Sequence, residues 1–134
     1  MPFVSRGDDS GTHVKEQQLW EKAGVRPAGA WYLEAGTGMA ETLRMAGQKR
    51  AYTLSDRGTF LREGNALELV IVHQGDPSLQ NHYSVTLVSP NKHPHVRHDA
   101  ARRFVEFVLS EEGKRLISTF GVAEYGKPLF FLEQ

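Results

Sequence analysis

The sequence predicts an α/β fold, a three-layer arrangement in which one sheet carries helices on both faces. Short apolar runs typical of strands alternate along the chain with longer segments whose apolar residues recur at helical spacing. Turns that contain glycine or proline separate most of these segments. The chain has 134 residues, 40% hydrophobic and 24% charged, which is the size and balance of one globular domain with a modest core.

The first half of the chain opens with a strand and a helix. Phe3–Ser5 is short and apolar, which predicts a strand, and residues 12–23 predict a helix. Ser10 or Thr12 is expected as its N-cap, and Gly24 is expected to end it. The other elements predicted before residue 62 are an extended segment at 31–34, a helix over 35–49 capped by Thr37, a strand at 51–54 and a helical turn at 56–61.

The second half predicts two further strands and two helices. The runs LELVIV at 67–72 and YSVTLV at 83–88 are typical of strands and are expected in the same sheet as 3–5 and 51–54. Helices are expected at 99–109 and, after a Ser110 cap, up to about residue 120, with an extended or coiled tail at 126–132. The aromatic residues expected in the core here are Phe104, Phe107, Phe130 and Phe131.

Composition excludes several classes of function. Lysine plus arginine and aspartate plus glutamate number 16 each, so the net charge is zero. There is no overall basic field to attract nucleic acid or an anionic membrane, and any anion site must be local. Cysteine is absent, which excludes disulfide scaffolds, thiolate metal sites and cysteine nucleophiles. No apolar run approaches the length of a membrane span.

The stretch SRGDDSGTH at residues 5–13 joins the first strand to the first helix and is dense in hydrogen-bond donors. A helix N-terminus has free backbone N–H groups and the positive end of the dipole, and Gly11 lets the backbone approach a ligand. Ser10 and Thr12 add hydroxyls, and Arg6 adds a forked cation. An ordinary capped turn would need one hydroxyl, so the excess of donors favours an anion site.

The neighbouring aspartates, Asp8 and Asp9, have two open interpretations. They complement the helix N-terminus or hold Arg6 in place, or one of them accepts a proton from a monoprotonated phosphate. A hydrolase is disfavoured, because Ser10 lies outside the G-x-S-x-G spacing of a nucleophile elbow. Asp8, Ser10 and His13 are also too close along the chain to act as a catalytic triad.

A second donor-rich loop, SDRGT at residues 55–59, follows the predicted strand at 51–54. It repeats the chemistry of the first loop, with an arginine, a glycine and hydroxyls where a strand meets a helical turn. A surface turn built on Asp56 and Arg57 is the alternative. Two loops of the same chemistry favour a single small anion bound between them.

Two weaker motifs remain. Gly36 and Gly38 imitate the start of a dinucleotide-binding G-x-G-x-x-G, and Asp56 lies near the place of a ribose-binding acid. Glu41, however, fills the position that needs a small residue. A nucleotide-binding enzyme therefore stays an alternative. The histidine-rich run HPHVRH at 93–98 is interpreted as a solvated loop rather than a metal site.

Four stretches carry a resemblance to a known family. FVSRGDDSGTH, WYLEAGTGM, AYTLSDRGTFL and LVIVHQGDPSLQNHYSV occur in the order found in the tungstate-binding periplasmic proteins of ABC transporters. The resemblance covers about residues 3–131 and implies a non-enzymatic solute-binding protein without a cofactor, whose ligand is tungstate or molybdate. It also implies a membrane permease as partner, no nucleic acid, and a periplasmic or extracytoplasmic location with the signal peptide upstream or removed.

The resemblance assigns the ligand-binding residues. The RGDDSGTH-type motif falls on residues 6–13, and the TDRGTY-type motif falls on 55–60, with Ser55 for the usual threonine and Phe60 for tyrosine. The implied ligand-binding set is Ser5, Arg6, Ser10, Gly11, Thr12, Ser55, Arg57, Gly58 and Thr59.

The family's threonine-rich motif near the N-terminus has no match here. The resemblance therefore implies the C-terminal portion of a two-lobed receptor of the type II periplasmic-binding-protein-like fold. Residues 1–84 would form the oxyanion-binding lobe, and 85–134 a helical segment that packs on the missing first lobe. The exposed helix faces would then favour self-association. An oxyanion-sensing module of a larger regulator is a further alternative.

Overall fold

The computed structural model describes residues 1–63 and 66–132. The chain divides into two compact units, Met1–His82 and Tyr83–Gln134. In these described ranges, the first unit contains the sheet and the second contains three helices. No helix in the described ranges combines the length and the apolar character needed to span a bilayer.

Within the part of the chain that the structure describes, the sheet has three parallel strands. β1 (Phe3–Ser5) lies between β2 (Tyr32–Glu34) and β3 (Tyr52–Thr53). The connection from β1 to β2 and the connection from β2 to β3 run in opposite directions across the sheet. Because such crossovers are right-handed, their helices cover opposite faces. The class of fold predicted from the sequence is confirmed.

The connecting helices are α1 (Gly11–Lys22) and α2 (Met39–Lys49). On the α2 face, Val4 packs in a core whose other fully or almost fully buried apolar members come from α2. Those members are Met39, Leu43 and Ala46. On the α1 face, Phe3 lies 5.1 Å from Trp20 in an edge-to-face arrangement. Alternation of side chains along β1 sends Phe3 and Val4 to these two different layers.

The ends of α1 follow its capping residues. Ser10 is the N-cap, with an extended backbone and a hydroxyl that accepts from the His13 N–H at 3.3 Å. Ala23 is the C-cap, and Gly24 follows with φ +66°, the left-handed conformation that glycine adopts without strain. The predicted bounds of this helix are therefore correct to within one residue.

The start of α2 differs from the prediction. Its N-cap is Gly38, not Thr37, and no side chain caps it. The Thr42 hydroxyl instead donates back to the Gly38 carbonyl at 2.9 Å. The cap lies one residue later because the chain first makes a left-handed turn at Gly36, where φ is +63°.

The predicted strand at residues 67–72 is wrong. Glu68 has φ +52°, a left-handed conformation that ends an extended run, and Val70 and Val72 are exposed. The carbonyl of Leu67 packs closely on Gly47 of α2, where an added Cβ would lie 2.8 Å from it. The apolar pattern is that of a strand, but strand formation needs a hydrogen-bonded neighbour, and no ladder in the described ranges includes this segment.

The second unit begins with residues 83–88, which were also predicted as a strand and also pair with no strand in the described ranges. Three helices follow: α4 (His98–Leu109), α5 (Glu111–Thr119) and α6 (Val122–Tyr125), which continue the numbering after α3 (Arg57–Glu63) of the first unit. Ser110 ends α4 and caps α5, accepting from the Gly113 N–H at 3.1 Å. The prediction of this cap is confirmed.

The aromatic residues expected in the core of this region are exposed. Phe104 is 58% exposed and Phe131 is 77% exposed, while Phe107 and Phe130 lie between 40% and 50%. The prediction that they lie in the core is therefore wrong. The described residues do not supply the surface that would bury them.

Candidate anion-binding site

The two donor-rich loops follow neighbouring strands at the same edge of the sheet. In the register of β1 and β3, Val4 is opposite Thr53, and the Thr53 hydroxyl donates to the Val4 carbonyl at 2.8 Å. Since the strands are parallel, the loops that leave their carboxyl ends start side by side. This edge is where open α/β sheets bind ligands.

The first loop, residues 6–10, has a fixed backbone. Gly7 has φ +58°, and an added Cβ would lie 2.9 Å from the Cβ of Glu34 on β2. The buried Ser5 hydroxyl accepts from the Gly7 N–H at 3.2 Å. Asp9 is also left-handed, with φ +56°, and its N–H donates to Nδ1 of His13 at 3.0 Å. These contacts determine the direction in which the chain enters α1.

The first turn of α1 leaves several donors open. Within the described ranges, no hydrogen bond is made by the backbone N–H groups of Gly11 and Thr12 or by the Thr12 hydroxyl proton. The Ser10 oxygen accepts from His13, and its proton is also uncommitted. The first turn contains no acidic residue. This end of the helix is therefore an electropositive set of donors with no carboxylate among its own first residues.

Arg6 lies beside these donors and is paired with Asp8. The guanidinium Nη2 lies 2.6 Å from Oδ2 of Asp8, and the other carboxylate oxygen accepts from the Ser10 N–H at 3.2 Å. Asp8 thus holds Arg6, one of the two interpretations left open by the sequence. The Nε of Arg6 is buried and has no hydrogen-bond partner in the described residues. One guanidinium donor therefore remains available if the side chain moves toward an anion.

Asp8 is ionised in this arrangement. Burial acts to raise the pKa of its carboxyl, but hydrogen bonds from Ser10 and the Arg6 guanidinium outweigh burial, and the pKa is lowered. Because Arg6 and Ser10 occupy both carboxylate oxygens, Asp8 is poorly placed to accept a proton-bearing oxygen of phosphate. The Asp9 side chain is 98% exposed and faces water.

The second loop, residues 55–59, is organised by Asp56 at the start of α3. Its carboxylate accepts from the Thr59 N–H and from the Thr59 hydroxyl, each at 2.8 Å, and the Ser55 hydroxyl donates to the Asp56 carbonyl at 3.0 Å. Arg57 donates to the Gln74 side chain at 2.5 Å. Gly58 is the second residue of α3. The predicted donors of this loop are present but are engaged within the first unit.

The order of the strands places the starts of the two loops side by side. The two arginines predicted for the site have different partners: Arg6 pairs with Asp8, and Arg57 donates to Gln74. Among the residues that the structure describes, the donors without a partner are concentrated in the first loop and the first turn of α1.

The burial of two polar residues near the site was not predicted from the sequence. His13 is 5% exposed and Glu16 is 3% exposed. Oε1 of Glu16 accepts from the Trp20 indole at 3.1 Å and from the Tyr32 hydroxyl at 2.8 Å. Burial, together with Glu16, raises the pKa of the Tyr32 hydroxyl. The four-residue spacing of Glu16 and Trp20 was visible in the sequence, but the approach of Tyr32 was not.

The glycine pair at the start of α2 does not offer a comparable anion site. Gly36 donates its N–H to the Arg6 carbonyl at 2.9 Å, which ties this turn to the first loop. An added Cβ on Gly38 would lie 3.3 Å from a carboxylate oxygen of Glu41. A carboxylate over the first turn of α2 would repel a nucleotide phosphate.

No cluster of three or more potential metal ligands occurs among the described residues. The histidine-rich run at 93–98 includes an edge-to-face contact of His93 with His95, whose ring centroids are 6.1 Å apart.

This fold and this donor set can be compared with known proteins. The family model of a PBP superfamily domain matches residues 1–112, and the chain belongs to that superfamily. It is 45% identical over 128 residues to the tungstate-binding protein TupA of Peptoclostridium acidaminophilum, a match that covers 96% of this chain and 45% of the relative. The resemblance to tungstate-binding proteins that was inferred from the motifs is confirmed.

Solved structures give the same result. The tungstate ABC transporter structure from Geobacter sulfurreducens is 43% identical with a TM-score of 0.71, covering 89% of this chain and 50% of that one. The tungstate-binding protein TupA from Desulfovibrio alaskensis G20 is 36% identical with a TM-score of 0.73, covering 95% and 52%. This chain spans about half the length of these relatives.

Proposed function

We propose that the chain is the oxyanion-binding part of a solute-binding protein that captures tungstate or molybdate for an ABC transporter, and that it is not an enzyme. The observation that carries the proposal is the set of open donors on Gly11 and Thr12 beside the paired Arg6. Three relatives are tungstate-binding or tungstate-transporter proteins by name, which supports the same ligand.

The chemistry of the donors suits a fully ionised tetrahedral anion. Tungstate and molybdate are dianions without a proton near neutral pH, so they need donors and no acceptor. The first loop supplies backbone N–H groups, hydroxyls and an arginine, while the carboxylate of Asp8 is already occupied. Monohydrogen phosphate needs an acceptor for its own proton and is therefore disfavoured.

The proposed roles divide between the loops. Gly11 and Thr12 would donate through the backbone, and the hydroxyls of Ser10 and Thr12 would act as neutral donors. Arg6 would exchange part of its contact with Asp8 for the anion. The remaining proposed contacts come from Ser5 at the end of β1 and from the second loop, namely Ser55, Arg57, Gly58 and Thr59.

We further propose that residues 1–84 form an oxyanion-binding lobe and that 85–134 pack on a first lobe encoded outside this chain. The length of the relatives supports this, and so does the exposure of Phe104 and Phe131 in the second unit. The complete protein would act outside the cytoplasm and pass its ligand to a membrane permease. Without the other lobe, the chain would associate with itself through its uncovered apolar faces.

Titration calorimetry on the complete natural protein tests the ligand. Tungstate and molybdate are expected to bind, with sulfate and phosphate much weaker at the same pH. Absence of tungstate and molybdate binding would overturn the proposal, and tight binding of ATP or NAD would favour a nucleotide enzyme. Oxyanion-dependent binding to DNA would favour a sensor.

A further inference from the structure

His13 is a buried imidazole in the middle of the polar entry to α1. Both ring nitrogens have partners: Nδ1 accepts from the Asp9 N–H at 3.0 Å, and Nε2 lies 3.0 Å from the side-chain amide nitrogen of Gln17. The backbone N–H of His13 donates to the Ser10 hydroxyl at 3.3 Å. The residue is therefore bonded to the loop through its ring and through its backbone.

These contacts determine the tautomer of a neutral ring. A backbone N–H can only donate, so the Nδ1 that accepts from it carries no proton. A neutral ring must therefore carry its proton on Nε2. A neutral imidazole cannot accept at both nitrogens, so Gln17 must turn its amide and present its oxygen to Nε2. Gln17 is exposed and is free to make this turn.

The bond to Nδ1 holds a strained point of the loop. Asp9 is a non-glycine residue with φ +56°, a conformation that persists only when its surroundings fix it. It directly precedes Ser10, whose position sets the direction of the open donors on Gly11 and Thr12. Loss of the Nδ1 acceptor would release Asp9 and with it the alignment of these donors.

We propose that neutral His13 is a positioning residue of the oxyanion site, and that protonation of its Nδ1 loosens the loop and weakens oxyanion binding. The inference rests on the proposed function, and it concerns how the site is held rather than what it binds. A protonated Nδ1 is a donor facing the Asp9 N–H, another donor, so the contact becomes repulsive.

The charged side chains near the ring are exposed to water, paired with each other or hydrogen-bonded elsewhere. Within the described residues, Asp9 is the only acid within 4 Å of the ring, at 3.6 Å from Nδ1, and its side chain is 98% exposed. Water therefore screens its charge. Glu16, one turn further along α1, accepts from Trp20 and Tyr32, and the charges of Arg6 and Asp8 compensate each other. A cationic ring would also attract an anion, which predicts the opposite change in affinity.

The test compares the wild-type protein with His13→Asn in the complete natural protein. The Asn oxygen can take the place of Nδ1 and accept from Asp9, but it does not titrate. Tungstate and molybdate affinities are measured from pH 8 to pH 5.5, the range in which histidines change charge. Measuring both proteins in the same buffers cancels any protonation of the anion itself.

At pH 8 the two proteins are expected to agree within about threefold, because both supply the acceptor. By pH 5.5 the wild type is expected to lose about tenfold in affinity relative to His13→Asn. His13→Leu, which has no acceptor, should bind weakly, and its affinity relative to His13→Asn should not change with pH. Parallel profiles for wild type and His13→Asn, or a relative rise for the wild type at low pH, would overturn the inference.

Nitrogen NMR of the wild-type imidazole provides a readout that needs no ligand. At pH 8 the expected signature is an unprotonated Nδ1 and a protonated Nε2, and the opposite tautomer would overturn the inference by itself. Absence of oxyanion binding at pH 8 would overturn the proposed function together with this inference. Binding with parallel profiles would overturn the positioning role alone.

Discussion

Asp8 bridges Arg6 and Ser10, with one carboxylate oxygen 2.6 Å from the guanidinium and the other 3.2 Å from the Ser10 N–H. A single ionised side chain therefore connects the cation of the loop to the residue that caps α1. Because the carboxylate accepts from both groups, neither donor depends on water for a hydrogen-bond partner. Asp8 links the stability of the loop to the placement of its donors.

Asp8→Asn should destabilise the protein by about 1 kcal/mol at pH 7, because the ion pair to Arg6 is lost while one acceptor remains. The folded-state pKa of Asp8 is lowered, so its stabilisation is full above the ordinary value of 3.8 and is lost as pH falls through the lower folded-state pKa. The two proteins should therefore converge in strong acid. Urea denaturation between pH 7 and pH 2 measures this. Asp9→Asn, at the exposed neighbour, serves as control, and equal pH profiles for Asp8→Asn and wild type would contradict the prediction.

Gly7→Ala should cost about 1–3 kcal/mol of folding stability, because a left-handed backbone is combined with a Cβ 2.9 Å from that of Glu34. Gly29 is the matched control, since it has φ +88° with nothing within 4 Å of an added Cβ. Gly29→Ala should cost only the backbone strain, about 1 kcal/mol. Thermal denaturation of both variants separates strain from clash, and equal losses would contradict close packing of β2 on the loop.

Arg57→Ala should weaken tungstate binding in the complete protein by about 2–5 kcal/mol, because a buried dianion would lose a charged partner. Arg62→Ala is the control, since Arg62 lies on the same helix α3 with 63% of its side chain exposed. Calorimetry at one pH measures both variants. Unchanged affinity in Arg57→Ala would remove the second loop from the site.

Ser10→Ala should weaken tungstate binding less, by about 1–2 kcal/mol, because the neighbouring backbone donors remain. Ser10 also caps α1, so the folding stability of the variant must be measured with its affinity. A loss of folding stability without any loss of tungstate affinity would show that Ser10 acts only as the cap of α1. Thr12→Ala, which removes a hydroxyl without a cap, is the companion variant.

The chain expressed alone should associate with itself, because large apolar side chains in its second unit are uncovered. Light scattering over a range of concentrations measures the mass. Replacement of the exposed Phe104 and Phe131 by serine should shift the mass toward that of a monomer. A monomer at high concentration for the unmodified chain would contradict the prediction.

The helices were the most predictable part of the fold, because local residues decide where they begin and end. Ser10 and Ser110 cap α1 and α5 through their own hydroxyls, and each was visible in the sequence. The strand predicted at 67–72 is wrong, since an apolar pattern indicates that a segment favours burial. It does not show that a neighbouring strand is present to pair with it. Glu68 and its left-handed φ had no local signal.

The candidate site was predictable in its donors and not in its internal contacts. The motif predicts Arg6 and the hydroxyls around it as donors. Which of the two aspartates pairs with Arg6 depends on how the loop turns, and this turn places Asp8 there. The burial of His13 and Glu16 depends on the packing of α1 against Tyr32, which lies 16 residues from Glu16 in sequence. A contact between residues this far apart in the chain produces no periodic pattern in the sequence.

Ser110 belongs at once to the end of α4 and the start of α5, and no linker residue lies between them. At Gly113 an added Cβ would overlap the carbonyl oxygen of Phe107, so the two helices meet with no room for a side chain. The turn is made at one extended residue, whose hydroxyl donates to the Phe107 carbonyl at 2.7 Å and accepts from the Gly113 N–H at 3.1 Å. Any side chain at residue 113 would therefore have to push α4 and α5 apart at this corner.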